Sequence, residues 1–146
     1  MTQKEVEQYI DFHRENGGTG KIFQFTYKNY EPGTLTLEGN FTEACLNPNG
    51  TVQGGMMTSM LDDITSLLLI MEAKGKLYPA STDLHTLHHR SLNQGKIIAK
   101  GTIMKKGKTI ATVKGEIFDQ DDKLITTLMH TAYLFELDRS LYEKTE

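Results

Sequence analysis

The chain has 146 residues, a formal net charge of −3, and acidic and basic residues interspersed along its length. This length suits one domain with a substantial core, so we expect a single domain spanning 1–146. The interspersed charges offer no basic surface for nucleic acid. The longest uninterrupted apolar run, 67–71, is far shorter than the roughly 20 residues of a membrane span, and the polar N-terminus has no signal-peptide core. The single cysteine, Cys45, cannot form an internal disulfide, so we expect a soluble, cytoplasmic protein.

The first part of the chain predicts a short helix followed by a hairpin. Val6 and Ile10 share one face of an amphipathic pattern, and two glycines follow as a stop, so we predict an N-terminal helix within 1–17. The stretch 22–27 is rich in aromatic and β-branched residues, and 34–39 alternates with period two. A Glu-Pro-Gly turn separates these two stretches, which together predict a β-hairpin.

The most apolar segment, 47–71, carries the clearest functional signal. It opens with turn formers, passes through a pair of glycines, and continues with apolar residues on nearly every helical face, which predicts a buried central helix at 53–73. Asp62 and Asp63 lie inside this helix, where a buried carboxylate is costly unless it is paired. Asp62 shares a polar face with nearby hydroxyl residues and suits a wet cleft. Asp63 is as readily explained as a structural acid paired with Lys or Arg.

The remaining chain predicts four strands and a polar tail. Strand-like patterns cover roughly 80–90, 94–105, 109–119 and 123–136, and 137–146 forms the tail. One long buried helix and about six strands joined mostly by short turns predict an α+β domain with a largely antiparallel sheet. The helix covers only one face of such a sheet. The other face and the edges need a partner, so we expect a homo-oligomer.

Several residues carry a family resemblance that extends over about 35–135. They are Asn47, Gln53-Gly54-Gly55, Asp62 nine residues after Gln53, Thr82-Asp83-Leu84 at the start of a strand, and the hairpin 104–109. With the order of elements, they resemble the hotdog-fold acyl-CoA thioesterases of the phenylacetic-acid-degradation type, in which a curved antiparallel sheet wraps one long helix. That family usually has His-Gly-Gly where this chain has Gln53-Gly54-Gly55. In having glutamine at this position, the chain resembles some thioesterases of the same fold.

The resemblance implies an acyl-CoA thioesterase without metal or redox cofactor. The backbone N–H of Gly54, assisted by Gly55, would polarise the thioester carbonyl at the helix N-terminus, where free amides and the macrodipole favour negative charge. Asp62 would act as general base or nucleophile against the glycine of the other subunit in a homodimer or a dimer of dimers. Thr82, or Ser81 beside it, would place the water or hold the acid.

Other residues keep two interpretations. Asn47 orients the water, hydrogen-bonds Gln53, or simply forms a turn. Arg90 and three hairpin lysines either bind coenzyme A phosphates or are solvated, and Met57 with its neighbouring methionines lines an acyl tunnel or fills the core. The lysines are Lys105, Lys106 and Lys108, and the other methionines are Met56, Met60 and Met104.

Histidines and rival functions complete the sequence-based expectations. His85, His88 and His89 invite a metal interpretation, but on a strand residues four apart lie roughly 13 Å from each other and neighbours point to opposite faces, so we expect no metal site. The alternatives to a thioesterase are a hydratase or dehydratase of the same fold, which uses an acid with a histidine that this chain lacks at position 53, and a non-enzymatic acyl-CoA or lipid-binding module.

Overall fold

The structure is a computed structural model that describes residues 1–137. Six strands form one antiparallel sheet in the order β1-β2-β4-β5-β6-β3. The elements in chain order are α1 (Gln3–Glu15), α2 (Gly18–Phe23), β1 (Thr26–Glu31), β2 (Thr34–Phe41), a 3₁₀ turn (Glu43–Cys45), α3 (Gly54–Glu72), β3 (Leu77–His88), β4 (Gly95–Lys106), β5 (Ile110–Phe118) and β6 (Leu124–Glu136). One long helix packed across one face of a six-stranded antiparallel sheet confirms the predicted α+β hotdog fold.

The core lies between α3 and the inner face of the sheet. Nine residues of α3 are buried, which agrees with its apolar character on nearly every face. Gly101 of β4 and Gly115 of β5 lie directly opposite each other beneath this helix. A Cβ on Gly115 would approach the Cβ of Leu61 to 3.2 Å, so the missing side chains allow the helix to pack closely on the strands.

The N-terminal segment contains two helices, and this corrects part of the predicted hairpin. A capping box of Thr2 and Glu5 begins α1. After Gly17 the chain forms the short α2, so Ile22 and Phe23 are helical and β1 begins only at Thr26. Phe23 is fully buried, which shows that its aromatic character serves the core rather than a strand. The predicted tail, 137–146, lies outside the described residues except for position 137.

Strand β3 forms one edge of the sheet. It pairs with β6 along one side, and within 1–137 no strand pairs with its other side. Pro79 lies in this strand, as expected where one row of backbone donors has no partner. The twelve residues of β3 are only partly buried or exposed, so the strand offers a long open edge. Among the described residues, no helix is long and apolar enough to cross a membrane.

Candidate active site

One face of α3 runs along the inner side of the edge strand β3. Three contacts connect α3 to β3. The ring of His88 lies against Gly54, the hydroxyl of Thr58 donates to Thr86 at 3.0 Å, and Asp62 accepts a hydrogen bond from Ser81. The helix residues are spaced by four, so they form a single stripe. The polar face predicted around Asp62 therefore borders the open edge of the sheet.

Asp62 lies in a hydroxyl-rich environment. Its Oδ1 accepts from the hydroxyl of Ser81 at 3.2 Å and from that of Ser66 at 3.3 Å. Within 1–137 its Oδ2 has no recorded hydrogen-bond partner, and about a third of the side chain (35%) is exposed. The carboxylate is thus held through one oxygen while the second remains available to a ligand or water.

His130 completes this cluster, and the sequence prediction missed it. The side chain is fully buried on β6, with Nε2 2.8 Å from the Ser81 hydroxyl and 3.9 Å from Oδ1 of Asp62. On the other side of the ring, Nδ1 lies 2.7 Å from the hydroxyl of Thr65. Burial lowers the pKa of His130 below its ordinary value of 6.5, and the charge of Asp62 opposes that shift in part. The ring is therefore neutral at pH 7.

The hydrogen bonds of the cluster have a preferred direction. The Ser81 hydroxyl has one proton, and donating it to the carboxylate of Asp62 requires Ser81 to accept from Nε2–H of His130. A neutral ring then accepts at Nδ1 from the hydroxyl of Thr65, whose single proton turns to the ring and away from the Leu61 carbonyl that also lies 2.7 Å from this hydroxyl. This direction gives Asp62 a donor at the end of a chain of three hydrogen bonds that starts at the buried Thr65 and reaches the exposed Ser81.

The structure distinguishes the two predicted strand hydroxyls. A β-bulge between Ser81 and Asp83 leaves Thr82 as the extra residue. The Thr82 hydroxyl donates to the carbonyl of Thr131 at 3.1 Å, whereas that of Ser81 contacts Asp62. Ser81 is therefore the hydroxyl that lies beside the acid.

The N-terminus of α3 presents free backbone donors. Gln53 is the N-cap residue, its side chain makes no capping bond, and its N–H donates to the carbonyl of Cys45. The N–H groups of Gly54 and Gly55 have no recorded acceptor among the described residues. Gly55 faces open space, since a Cβ there would meet nothing within 4 Å. The amides can thus bind an oxygen at the positive end of the helix dipole.

Asn47 shapes the loop that leads to this helix. Its Oδ1 accepts from the N–H groups of Asn49 and Thr51, and its Nδ2 donates to the Thr51 hydroxyl at 2.8 Å. These contacts match the turn interpretation. The side chain makes no hydrogen bond with Gln53 in the described structure.

Asp63 has a different partner from the Lys or Arg that the sequence suggested. Its Oδ2 lies 3.0 Å from Nε2 of His13 on α1, and both side chains are largely buried. The His13 ring also stacks on Phe25, with ring centroids 5.2 Å apart. Asp63 therefore connects α3 to the N-terminal helix on the side away from Ser81, which is a structural arrangement.

The predicted cations lie at opposite ends of the sheet. Lys105 and Lys106 end β4, and Lys106 shares a row across the sheet with Ser81 through the pairs formed by β5 and β6. Lys108 follows in the same hairpin, and all three lysines are exposed. Arg90 comes just after β3, at the end where His88 lies beside Gly54.

The methionines divide between the core and the surface. Met57 is 3% exposed and its sulfur lies 3.3 Å from the hydroxyl of Thr126, so within one chain it belongs to the core. Met60 is fully buried and lies so close to Gly39 that a Cβ there would approach its methyl group to 2.8 Å. Met56 is partly buried, whereas Met104 is 56% exposed on the hairpin side of the sheet.

Two of the three histidines considered as metal ligands, His88 and His89, lie beside different hydroxyl groups of β6. Nδ1 of His88 lies 3.2 Å from the hydroxyl of Thr126, while Nε2 of His89 lies 2.9 Å from that of Thr127. Residues 1–137 contain no group of three or more His, Cys, Asp or Glu side chains arranged to hold a metal ion.

Comparison with known proteins places this geometry in a family. Residues 49–126 match the model of the thioesterase superfamily. Acyl-coenzyme A thioesterase 13 of Homo sapiens is 27% identical over 117 residues, which cover 79% of this chain and 81% of that protein.

Solved structures show the same architecture. A phenylacetic acid degradation-related protein of Ralstonia eutropha JMP134 is 26% identical, with a TM-score of 0.74 over 86% of this chain and 98% of that one. A Streptococcus mutans UA159 protein, solved bound to acetyl CoA, has a TM-score of 0.70 at 17% identity and covers 77% of this chain and 89% of its own. Since the family model covers more than half of the sequence, including α3 and its N-terminal glycines, the chain belongs to the thioesterase superfamily.

Proposed function

We propose that the protein hydrolyses acyl-CoA to a free acid and coenzyme A, in a site assembled from two copies of the chain. Thioesterase activity follows from the family, and the relative named acyl-coenzyme A thioesterase 13 supports coenzyme A as the carrier. The observation that carries the proposal is the pairing of a hydroxyl-bound Asp62 with a separate pair of free helix N-terminal amides at Gly54 and Gly55.

These two groups form separate half-sites within one chain. Gly54 and Asp62 are eight residues apart on α3, which corresponds to about 12 Å along the helix. A thioester carbonyl and its attacking water must lie within about 3.5 Å of each other. One chain therefore does not bring its own glycine and its own acid to the same thioester.

A second copy pairing along β3 would bring unlike half-sites together. β3 holds Ser81 near the acid and His88 near the glycine, and its outer edge is open. Antiparallel pairing of two such edges about a two-fold axis near Leu84 would place one chain's Ser81 across from the second copy's His88. The acid of each chain then faces the helix N-terminus of the other, and the assembly is a homodimer or a dimer of such dimers.

In the proposed reaction Asp62 acts as a general base. Its free Oδ2 accepts a proton from water as the water oxygen bonds to the carbonyl carbon, and the displaced π electron pair moves to the carbonyl oxygen. The N–H of Gly54 stabilises the resulting oxyanion. Collapse of this intermediate breaks the C–S bond, and the proton held by Asp62 passes to the departing thiolate. The alternative in which Asp62 attacks directly would transfer ¹⁸O from labelled water to its carboxylate.

The exposed cations suit the phosphates of coenzyme A. Within one chain Arg90 lies at the glycine end, and the lysine hairpin lies at the acid end. The proposed pairing would bring an arginine of one copy near Lys105, Lys106 and Lys108 of the other. The resulting positive surface would bind phosphate groups at the entrance to the site.

The test is thiol release from a panel of short, long and aromatic acyl-CoAs. We expect Asp62→Asn to lower kcat at least about 100-fold, because a general base is lost. The matched variant Asp63→Asn should keep kcat within about threefold, since that acid bonds to His13. Absence of hydrolysis by the wild type across the panel, or a selective loss in the Asp63 variant, would contradict the proposal.

The two-chain arrangement has its own test. Mixing the impaired Asp62→Asn and Gly54→Ala proteins should raise the activity to about a quarter of the wild-type value, because half of the random dimers contain one intact composite site. A site contained in a single chain would give no recovery. An enoyl-CoA substrate in the same panel tests for hydratase activity, and unchanged function in Asp62→Asn would indicate a binding module.

A further inference from the structure

His88 occupies a position beside the proposed carbonyl site that the mechanism above does not use. A Cβ built on Gly54 would lie 3.0 Å from Nε2 of His88. Because the nitrogen and Cβ of one residue are about 2.5 Å apart, Nε2 lies no more than about 5.5 Å from the Gly54 nitrogen. A single oxygen can therefore contact both nitrogens at hydrogen-bond distance.

The contacts of the ring favour a proton on Nε2. The hydroxyl of the fully buried Thr126 lies 3.2 Å from Nδ1 of His88 and 3.3 Å from the sulfur of Met57. A hydroxyl has one proton, and an imidazole nitrogen is a much better acceptor than a thioether. Donation from Thr126 to Nδ1 makes Nε2–H the ring's donor, and Nε2 has no recorded acceptor within 1–137.

We propose that His88 is a catalytic residue whose Nε2–H, together with the N–H of Gly54, binds the thioester carbonyl oxygen and the oxyanion that forms from it. This inference rests on the proposed thioesterase function and extends it with a second donor. The residue transfers no proton, and it stabilises the charge that the carbonyl oxygen gains when water adds. Neutral imidazole beside a helix N-terminus is known to polarise carbonyl groups in this way.

The second donor also explains a feature of the sequence. The N-cap residue is Gln53, whose exposed side chain makes no capping bond and does not fix a donor at the helix entrance. His88 is fixed by Thr126 on the neighbouring strand, so its donor is oriented before the substrate arrives. A donor that is already oriented stabilises an oxyanion better than a mobile one.

Two substitutions separate a donor from a merely structural ring. In His88→Asn the short amide reaches the Nδ1 position and keeps the contact with Thr126, but it has no donor at the Nε2 position. In His88→Gln the longer amide places a donor there. We expect the Asn variant to lose about 100-fold in kcat with KM within about threefold, and the Gln variant to remain within about tenfold of the wild type. The control His89→Asn changes a neighbouring ring bound to Thr127 and should stay within about threefold.

The outcomes separate this inference from the function on which it rests. A folded Asn variant with the kcat of the Gln variant, or an effect on KM alone, would overturn the role of His88. If the wild type is active and Asp62→Asn is not, that result would leave the thioesterase proposal in place. A wild-type protein inactive on all acyl-CoAs would overturn both. Thermal unfolding of each variant identifies losses that come from misfolding.

Discussion

Nε2 of His130 lies 2.8 Å from the hydroxyl of Ser81, and this contact connects the buried interior to an exposed carboxylate. Ser81 lies on the edge strand and donates to Asp62, so its hydroxyl has partners on both sides. The histidine thereby sets the direction in which the Ser81 proton points. In this arrangement Ser81 and His130 are positioning residues for the proposed base.

Removing the Ser81 hydroxyl should impair catalysis more than removing its neighbour. In Ser81→Ala, Asp62 keeps the 3.3 Å hydrogen bond from Ser66 and the 3.9 Å approach of His130, but it loses the hydroxyl that connects the two groups by hydrogen bonds. We expect kcat to fall about 10- to 100-fold with little change in KM, because the base is less well oriented. Thr82→Ala removes a hydroxyl that bonds to a backbone carbonyl, and its effect should be within about threefold. Steady-state kinetics of the two variants would contradict this assignment if Thr82→Ala were the more damaged.

His130 should make the free energy of unfolding depend on pH in the mildly acidic range. Burial lowers its pKa in the folded state below 6.5, so the unfolded chain binds a proton that the folded chain does not. The contribution of neutral His130 to the free energy of unfolding is fully present above pH 6.5 and is lost as the pH falls from 6.5 towards the folded-state pKa. The free energy of unfolding should fall by up to about 1.4 kcal/mol per pH unit from this group.

Denaturant unfolding of the wild type and His130→Gln between pH 5 and 8 measures this effect. Gln is uncharged throughout the range and keeps an amide able to contact Ser81. The wild type should therefore lose more stability on acidification than the variant. Equal slopes would show that His130 does not titrate as its burial indicates.

The sequence predicted the fold well because its main signals are local. Apolar residues on nearly every face of α3 and turns between alternating strands were sufficient to define one helix on one antiparallel sheet. The error at Ile22 and Phe23 arose because aromatic and β-branched composition does not separate a strand from a short buried helix. Gly17, with a φ of 83°, begins that second helix rather than only ending the first.

The site was only partly predictable because some partners are distant in sequence. Asp62 was identifiable as a polar residue in a buried helix, but the choice between Ser81 and Thr82 depends on a β-bulge that the sequence does not mark. His130 had one available signal, because it interrupts the inward-facing series Leu128, His130, Ala132 with a polar residue. A polar side chain at such a position needs a hydrogen-bond partner. Nothing in the sequence identifies Thr65 and Ser81 as those partners, because both lie far from His130 along the chain.

Gly54 and Gly55 should respond differently to the same substitution. A Cβ on Gly54 would approach Nε2 of His88 to 3.0 Å and push the ring back by a few tenths of an ångström, whereas a Cβ on Gly55 would meet open space. We expect Gly54→Ala to lower kcat at least about tenfold, because the donors around the carbonyl site shift. Gly55→Ala should keep its activity and gain up to about 1 kcal/mol of stability, since Ala is the better helix former. Kinetics and denaturant unfolding of the pair check this, and equal activity losses would show that Gly54 has no special contact.

The carboxylate of Glu72 at the end of α3 should add to the effect of burial in raising the pKa of Tyr30. Its Oε1 accepts from the Tyr30 hydroxyl and from the N–H of Gly33, both at 2.7 Å, and so connects the helix to the β1–β2 turn. Burial, the hydrogen bond to Glu72 and the charge of Glu72 raise the pKa of Tyr30 from 10.0 to about 12.

Glu72→Gln removes the charge but keeps an acceptor, so the pKa of Tyr30 should fall while remaining above 10.0 because burial persists. NMR titration with ring-labelled tyrosine measures this, and Tyr30→Phe assigns the signal. Because folding raises the pKa of Tyr30, this group stabilises the folded state below pH 10. Its contribution to the free energy of unfolding is lost as the pH rises from 10 towards 12. The variant should lose less stability over that interval than the wild type. An unchanged pKa in Glu72→Gln would mean that burial alone raises the value and that the carboxylate contact is not maintained in solution.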